Sequence, residues 1–209
     1  MPVETELKLI LPDRESMKHV ASLAEIVGYA VEDRGLEKHT DVYFDTLDFQ
    51  LFQRKIILRF RTRAHTSFIT FKAQGETSGE IYRRIEIEEK TNKTVDDISR
   101  GLLTDTAPLK ALYEHTGKVN LSPSLYVENN RHILLLTSED IPRFELALDE
   151  VTFSGPKGMK KVFELEVESL SGEDKDLKKI GQWLAGRFNL RSAGPSKYIQ
   201  GMKLVGRVK

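Results

Sequence analysis

Charged side chains occupy every second position in several short segments of this sequence. Successive residues of a β-strand point to opposite faces, so each of these sets shares one face of its strand. Apolar residues such as Leu7 and Leu9 in "VETELKLIL" then take the other face. The charge-bearing sets are Glu4, Glu6 and Lys8; Arg59, Arg61 and Arg63; Thr70 and Lys72; Arg84, Glu86 and Glu88; Glu145 and Asp149; and Glu164, Glu166 and Glu168.

Several of these sets carry a single sign of charge. A polar solvent face is the ordinary explanation for one such strand. Like charges that are two apart on a strand or opposite across it repel, so repetition in several strands requires counter-charges. Divalent cations would relieve the acidic sets, and a polyanion would relieve the arginines. Carboxylates and phosphate oxygens suit Mg²⁺, and the arginine fork binds phosphate oxygens in pairs.

The elements that must position these side chains are mostly short strands. A helix is predicted first, with an apolar face made of Met17, Val20, Ala21 and Ala24. Gly28 or Gly35 ends this region, and strand-like segments follow from Val42 onward. The segment "GETSG" (75–79) is interpreted as a hairpin loop, because it lacks the GK[ST] ending of a phosphate-binding P-loop.

Two further helices interrupt the strands. One is predicted between Thr106 and Gly117, with Pro108 in its first turn. Another begins near Glu173 and turns Leu177, Ile180 and Leu184 inward. The pattern predicts an α+β protein dominated by antiparallel strands, with residues 1–209 as a single domain. Closing the sheet into a barrel would direct both signs of charge into one lumen, with the apolar faces covered by helices.

Composition excludes several classes of partner. Lys and Arg number 32, as do Asp and Glu, so no global charge favours nucleic acid or an anionic membrane. No apolar run approaches the roughly 20 residues that cross a bilayer, and we expect a soluble, cytoplasmic protein. The sequence has no Cys, so a metal would be held by oxygen or histidine. Whether the chain forms a homodimer stays open.

The segment "ETELK" resembles the E-x-E-x-K signature of the CYTH domain, or triphosphate tunnel metalloenzyme, family. The segments "YFDT", "LRFR", "TFK", "RRIEIE", "ALDEV", "ELEVE" and "SKY" follow in the order of that family. Together they cover nearly the whole chain. The sequence is most similar to the bacterial inorganic triphosphatases.

This resemblance implies a closed antiparallel β-barrel of about eight strands, forming a charged tunnel around a linear triphosphate, with helices packed outside. It implies a cofactor of Mg²⁺ or Mn²⁺ and hydrolysis of tripolyphosphate to diphosphate and phosphate. The implied metal ligands are Glu4, Glu6, Asp149, Glu164 and Glu166. The implied substrate-binding residues are Lys8, Arg59, Arg61, Lys72, Arg84, Arg131 and Lys197, and the implied catalytic residues are Glu4, Glu6, Lys8 and Lys72.

One position departs from the family pattern. Members often carry two basic residues, two apart, on the strand that here reads "ENNRH", whereas this chain has Asn129 and Arg131. We therefore expect one weaker phosphate contact. The roles of Asn129, Glu86, Glu88 and Glu168 stay open.

Other functions remain compatible with the same residues. A class IV adenylate cyclase would hold the triphosphate of ATP, and a non-catalytic module would only bind polyphosphate. A thiamine triphosphatase should offer aromatic packing, but Trp183 lies in the last predicted helix, where core packing is expected. Ser196 is expected to contact substrate or to cap a helix. The five histidines lack metal-ligand spacing and are expected at surface or structural positions.

Overall fold

The computed structural model describes residues 3–78, 81–102, 105–193 and 196–208. The strands are β1 (Val3–Leu11), β2 (Glu25–Ile26), β3 (Tyr29–Asp45), β4 (Ile57–Arg63), β5 (Thr66–Ser78), β6 (Ile81–Thr91), β7 (Ser122–Ser138), β8 (Ile141–Gly155), β9 (Gly158–Ser169) and β10 (Arg191–Ser192). The helices are α1 (Arg14–Ala21), α2 (Gln50–Gln53), α3 (Val95–Ser99), α4 (Ala107–Thr116), α5 (Asp174–Phe188) and α6 (Lys197–Leu204).

Eight of the strands form a closed barrel. Their order is β1-β6-β5-β4-β3-β7-β8-β9, and β9 pairs with β1 to complete the ring. Every neighbouring pair is antiparallel. The short strands β2 and β10 pair with β3 and β1 outside this ring. The predicted α+β fold with a closed antiparallel barrel is therefore confirmed.

Helix α5 covers the apolar outer face of β1 and its neighbours. Leu7 and Leu9 belong to one buried cluster with the inward face of α5, which consists of Leu177, Ile180 and Leu184 as the sequence predicts. Gly181 allows the close approach, because a Cβ there would lie 2.5 Å from Leu7 Cδ2. The N-cap residue of α5 is Glu173, which confirms the predicted start of this helix.

A second outer cluster lies under α3 and α4. Leu58 and Phe60 of β4 and Phe71 of β5 pack there against Leu109 and Leu112 of α4, all of them buried. Helix α4 begins after Thr106 and ends at Gly117, as predicted. Within the described residues, no helix is long and apolar enough to span a membrane.

One end of the barrel lumen is apolar rather than charged. There the side chains of Tyr43, Leu125 and Phe153 form a buried cluster with Tyr198 and other residues of α6. Gly201 fits α6 against the strands, because a Cβ there would meet Phe153 Cδ1 at 2.5 Å. The expected charged lumen is thus limited to the other part of the barrel.

The prediction for residues 22–41 was wrong. Helix α1 ends at Ala21, so Ala24 lies outside it, and β3 begins at Tyr29 instead of near Val42. Val27 and Gly28 both have positive φ, as in the two-residue hairpin turns that match strand twist. The sequence Val-Gly lacks the Asn-Gly or Asp-Gly signal of such turns, which explains the error.

The predicted hairpin loop at 75–79 was also misplaced. Residues 75–78 belong to β5, whose pairing with β6 shifts register between Gln74 and Thr77. Gly79 lies outside the described residues. Gly194, two residues before Ser196, also lies outside the described residues.

Candidate active site

The strand register brings the charged sets into one lumen. Leu7 and Leu9 are buried under α5, so Glu4, Glu6 and Lys8 face the other way. Members of the sets on β4, β5, β6 and β9 line a cavity of about 220 Å³ with them. Its lining consists of Glu4, Glu6, Lys8, Tyr43, Ile57, Arg59, Arg61, Lys72, Arg84, Glu86, Glu88, Arg131, Glu166, Glu168, Ser196, Lys197 and Tyr198.

Ten of the twelve residues that the resemblance implies lie in this lining. The other two, Asp149 and Glu164, contact the Lys197 ammonium, with Nζ–O distances of 2.8 and 3.0 Å. All twelve therefore gather around one interior space. Their individual roles in binding and catalysis remain predictions.

Glu166 is the centre of the densest part of the site. Its Oε1 accepts hydrogen bonds from Lys8 Nζ at 2.6 Å and from Lys197 Nζ at 2.5 Å. Its Oε2 accepts from Arg131 Nη2 at 2.5 Å. Burial alone would raise the pKa of Glu166, but the positive charges of Lys197, Lys8 and Arg131 hold it well below its ordinary value.

Asp149 adjoins the same group of cations. Arg131 donates to both of its carboxylate oxygens, at 2.8 and 2.7 Å. Burial opposes ionisation, yet the charges of Arg131 and Lys197 keep the pKa of Asp149 far below its usual range. The pKa of Lys197 is raised well above its usual value, since its acidic neighbours outweigh the effect of burial. These groups are therefore charged at neutral pH.

A second group of ion pairs lies on the β1, β5 and β6 walls. Lys72 Nζ is 2.8 Å from Glu4 Oε2 and 2.8 Å from Glu86 Oε2. Burial lowers the pKa of Lys72, but the charges of Glu4 and Glu86 more than offset it and raise the value overall. Glu6 lies 3.1 Å from Lys8 and 3.2 Å from Arg84 Nη2. Glu86, whose role the sequence left open, is thus a partner of Lys72.

The two inward arginines of β4 have different partners. Arg59 Nη2 donates to Thr70 Oγ1 at 3.2 Å and to Glu88 Oε2 at 3.4 Å, and its Nε makes no hydrogen bond. Arg61 donates to both oxygens of Asp41 at 2.7 Å. Arg59 is therefore the more loosely held of the two.

Asn129 is completely buried and does not line the cavity. Its Nδ2 donates to Asp149 Oδ1 at 2.9 Å, and its Oδ1 has no hydrogen-bond partner. The departure from the family pattern therefore places an amide beside Asp149, where it orients that carboxylate.

Sequence reasoning missed the lumen-facing residues of β3. Asp41, His39 and Tyr43 alternate on this strand, but the segment mixes acid, imidazole and phenol and shows no single-sign pattern. His39 is 2 % exposed, and its Nε2 lies 2.9 Å from Glu37 Oε2. The alternation itself was the available signal. Ser196 fulfils the predicted cap role, since its hydroxyl accepts from Ile199 N, and it also lines the cavity.

Glu168 is the lining carboxyl with an unusual protonation equilibrium. It lies opposite Glu6 on β1 and Glu145 on β8. Burial, and then the negative charge of Glu4, raise its pKa to about 8. A bound cation would reverse this effect, because it would favour the ionised carboxylate.

The acidic residues of β8 and β9 could hold a metal ion. Asp149, Glu164 and Glu166 each offer an oxygen, and these atoms lie within 4.8 Å of one another. Glu164 is buried, and its Oε2 lies 3.0 Å from Lys197 Nζ. An all-oxygen set of buried and half-buried carboxylates fits a hard cation such as Mg²⁺ or Mn²⁺. The lumen therefore combines oxygen ligands for a cation with cationic groups for an anion.

The family comparison agrees with this geometry. The model of the CYTH domain family matches residues 2–197. The chain belongs to the CYTH domain family. CYTH domain proteins are metal-dependent enzymes that act on triphosphates. The tunnel and the acidic cluster of this chain are the features expected of such an enzyme.

Solved structures with the same CYTH fold come from distant organisms. HpAC1 from Hippeastrum, for which a dominant triphosphatase activity is described, is 17 % identical, with a TM-score of 0.71 over 96 % of this chain and 95 % of that one. A Bacillus halodurans protein assigned as an adenylate cyclase is 17 % identical, with a TM-score of 0.68 over 96 % and 98 %. PH1012 from Pyrococcus horikoshii is 21 % identical, with a TM-score of 0.55 over 94 % and 98 %.

Trp183 lies away from the tunnel of this CYTH domain. Its ring packs against the cluster between α5 and the barrel, and the Arg187 guanidinium lies 5.2 Å from the ring centre. It therefore packs as the sequence predicts and offers no stacking surface in the cavity.

Proposed function

We propose that this CYTH protein hydrolyses inorganic tripolyphosphate to diphosphate and phosphate, with Mg²⁺ or Mn²⁺ as cofactor. The observation that carries the proposal is the convergence of basic and acidic strand faces on one cavity of about 220 Å³. A triphosphate and its cations together match both signs of charge. Neither a nucleic acid nor an apolar ligand has this pattern in so small a volume.

The basic side chains would bind the phosphates. Arg59, Arg131, Lys8, Lys72 and Lys197 come from five different elements and face the cavity. Groups fixed on separate strands surround a linear anion better than groups on one loop, and they need little rearrangement when charge develops. Each is now paired with a carboxylate, so binding of a triphosphate requires these pairs to exchange partners.

The carboxylates would hold the cations. Asp149, Glu164 and Glu166 would form one site, and Glu4 and Glu6 on the neighbouring strand β1 would supply further oxygens. When bound, the metal ions supply charge neutralisation of the phosphates and acidify a water molecule. The convergence of three carboxylate oxygens from β8 and β9 supports this assignment.

In the reaction, the oxygen of a water molecule forms a bond to a terminal phosphorus atom. The bond from that phosphorus to its bridging oxygen breaks, and the bridging oxygen leaves with its electron pair on diphosphate. The proton lost by the water passes to solvent. Lys8, Lys72 and Arg59 would stabilise the charge that grows on the leaving diphosphate, where positioning and electrostatics contribute most of the catalysis.

The size of the cavity favours inorganic tripolyphosphate over a nucleotide. Pockets that enclose drug-sized ligands measure about 300 to 1,000 Å³, which exceeds the cavity here. The nucleoside of ATP would have to project from the tunnel. Adenylate cyclase activity, suggested by the name of the Bacillus protein, is the alternative.

The test is a phosphate-release assay with tripolyphosphate, ATP, thiamine triphosphate and longer polyphosphates, each with Mg²⁺ and with Mn²⁺. We expect the highest kcat/KM for tripolyphosphate, and no phosphate release from any substrate without metal. Cyclic AMP formed from ATP at a higher kcat/KM would replace the proposal with the cyclase. Tight binding of tripolyphosphate without phosphate release would replace it with a binding module.

A further inference from the structure

A buried hydrogen bond joins the end of β3 to helix α6. The Tyr198 hydroxyl donates to Asp45 Oδ2, with an O–O distance of 2.7 Å, and both side chains are only 1 % exposed. Asp45 is not among the cavity-lining residues. Its carboxylate is therefore outside the set that would touch a substrate.

The Asp45 carboxylate is a rigid acceptor. Its Oδ1 accepts from the backbone N–H groups of Thr46 and Leu51, at 2.7 and 2.8 Å, and its Oδ2 accepts from that of Phe52 at 2.9 Å. These bonds tie the carboxylate to the backbone that begins α2. A partner bound to Asp45 is consequently fixed relative to the barrel wall.

The Tyr198 side chain is confined from several sides. Its ring stacks on Tyr43 with centroids 5.2 Å apart, and Phe52 meets it edge-on at 6.2 Å. Ser124 Oγ lies 3.3 Å from the phenol oxygen. Burial and the charge of Asp45 raise the pKa of Tyr198, so the hydroxyl remains a donor over the working pH range.

Lys197 precedes Tyr198 in the chain and begins α6. Its Nζ lies 2.5 Å from Glu166, 2.8 Å from Asp149 and 3.0 Å from Glu164. Consecutive helical side chains diverge by about 100° around the axis, so one points into the charged lumen while its neighbour points to β3. Anchoring Tyr198 therefore fixes the backbone from which Lys197 reaches the acidic cluster.

We propose that the hydrogen bond between Tyr198 and Asp45 is a positioning device that holds Lys197 at the Asp149, Glu164 and Glu166 cluster. Tyr198 and Asp45 act through Lys197, and the bond tunes how tightly the tunnel binds a triphosphate. The consequence for triphosphate binding rests on the proposed function. The consequence for the Lys197 amine does not.

The first test needs no substrate. The amines of the wild-type protein and of Y198F are acylated under native conditions, and each lysine is followed by mass spectrometry. A hydrogen bond to a charged group contributes enough that its loss should raise the acylation rate of Lys197 about tenfold. The rate at Lys72, whose ammonium pairs with Glu4 and Glu86 instead, should stay unchanged. Y29F is the matched control, because it removes a phenol bond to Asp176 outside the barrel.

The second test is a double-mutant cycle on binding of imidotriphosphate, a triphosphate analogue with nitrogen bridges, in the presence of Mg²⁺. Y198F should weaken binding about tenfold in the wild-type background and by less than about twofold in the K197M background. Y29F should leave binding unchanged in both backgrounds. A merely structural role of Tyr198 would lower affinity equally with and without the Lys197 amine.

The proposal is supported if Lys197 is acylated faster in Y198F and if Y198F no longer weakens imidotriphosphate binding in the K197M background. Unchanged acylation, or equal weakening in both backgrounds, overturns it. If Y198F does not fold, D45N replaces it, because a neutral amide is a weaker acceptor for the Tyr198 hydroxyl. An acylation increase at Lys197 of at least about threefold is then expected, and no increase contradicts the proposal. Absence of tripolyphosphate hydrolysis by the wild-type protein would contradict the proposed function and leave the acylation result standing.

Discussion

Lys8 and Glu166 lie directly opposite each other on the first and last strands of the barrel, and Lys8 Nζ is 2.6 Å from Glu166 Oε1. The ion pair therefore spans the seam at which β9 closes the ring. Glu166 also accepts hydrogen bonds from Arg131 and Lys197. One carboxylate thus links the closure of the fold to the charge balance of the tunnel.

Replacing Glu166 by Gln should abolish metal-dependent phosphate release while the barrel remains folded. Substitutions beside metal ligands already cost about 10–100-fold, so loss of a ligand oxygen should reduce kcat/KM for tripolyphosphate by about 100-fold or more. Lys8, Arg131 and Lys197 would each lose one of their charged partners, and the free energy of unfolding should fall by about 3 kcal/mol. The exposed Glu128→Gln variant is the control. Near-normal turnover by E166Q would contradict the ligand assignment.

Replacing Arg59 by Ala should weaken substrate capture. Its guanidinium makes two long hydrogen bonds, to Thr70 and Glu88, which a phosphate oxygen could replace. A charge-assisted hydrogen bond contributes about 1.5–3 kcal/mol, which predicts a rise in KM for tripolyphosphate of about tenfold or more. Arg34→Ala, at an exposed ion pair, should leave KM unchanged. An unaltered KM in R59A would remove Arg59 from the binding set.

Metal and triphosphate should bind with positive coupling. Lys72 is paired with Glu4 and Glu86, so an anion alone would leave carboxylates without a counter-charge, and a cation alone would leave the ammonium unpaired. Calorimetry with imidotriphosphate should show at least about tenfold tighter binding with Mg²⁺, after correction for their complex in solution. The reciprocal titration must give the same factor. Equal affinities for imidotriphosphate with and without Mg²⁺ would contradict this coupling.

His39 should titrate below its ordinary pKa of 6.5. Burial is the main cause and the positive charge of Arg61 is the second, while the hydrogen bond to Glu37 opposes them. Below pH 6.5 the unfolded chain therefore protonates His39 more readily than the folded protein does. The contribution of His39 to stability is present above pH 6.5 and is lost as the pH falls through its pKa in the folded protein. NMR titration should give a midpoint below 6.5. The stability advantage of wild type over H39Q should shrink from pH 7 to pH 5, and a midpoint above 6.5 would contradict this.

The predictability of each strand depended on how its two faces differ. In β1 and β9, charges alternate with Leu and Val, so the sequence alone indicated which face is interior. In β3 the first half is largely exposed on both faces, so no alternation of apolar and polar residues marked the strand. The early start of β3 was therefore missed. His39, Asp41 and Tyr43 do alternate in its second half, but they were missed because they carry no single sign of charge.

Ion-pair partners and the apolar end of the lumen could not be predicted for a different reason. They depend on the stagger between strands that are distant in sequence. The contact of Arg61 with Asp41 requires the register of β3 against β4. Leu125 looks like any outward apolar residue until α6 is packed into the barrel beside it. Sequence patterns report faces, whereas these contacts are set by tertiary packing.

Attack of water on a triphosphate in this tunnel can be followed by ³¹P NMR of tripolyphosphate with the protein and Mg²⁺ in ¹⁸O-labelled water. One orthophosphate and one diphosphate should form per tripolyphosphate, with a single ¹⁸O atom incorporated per hydrolysis event, and E166Q should give no reaction. Tripolyphosphate signals that persist unchanged with the folded wild-type protein and either Mg²⁺ or Mn²⁺ would contradict hydrolysis in the tunnel.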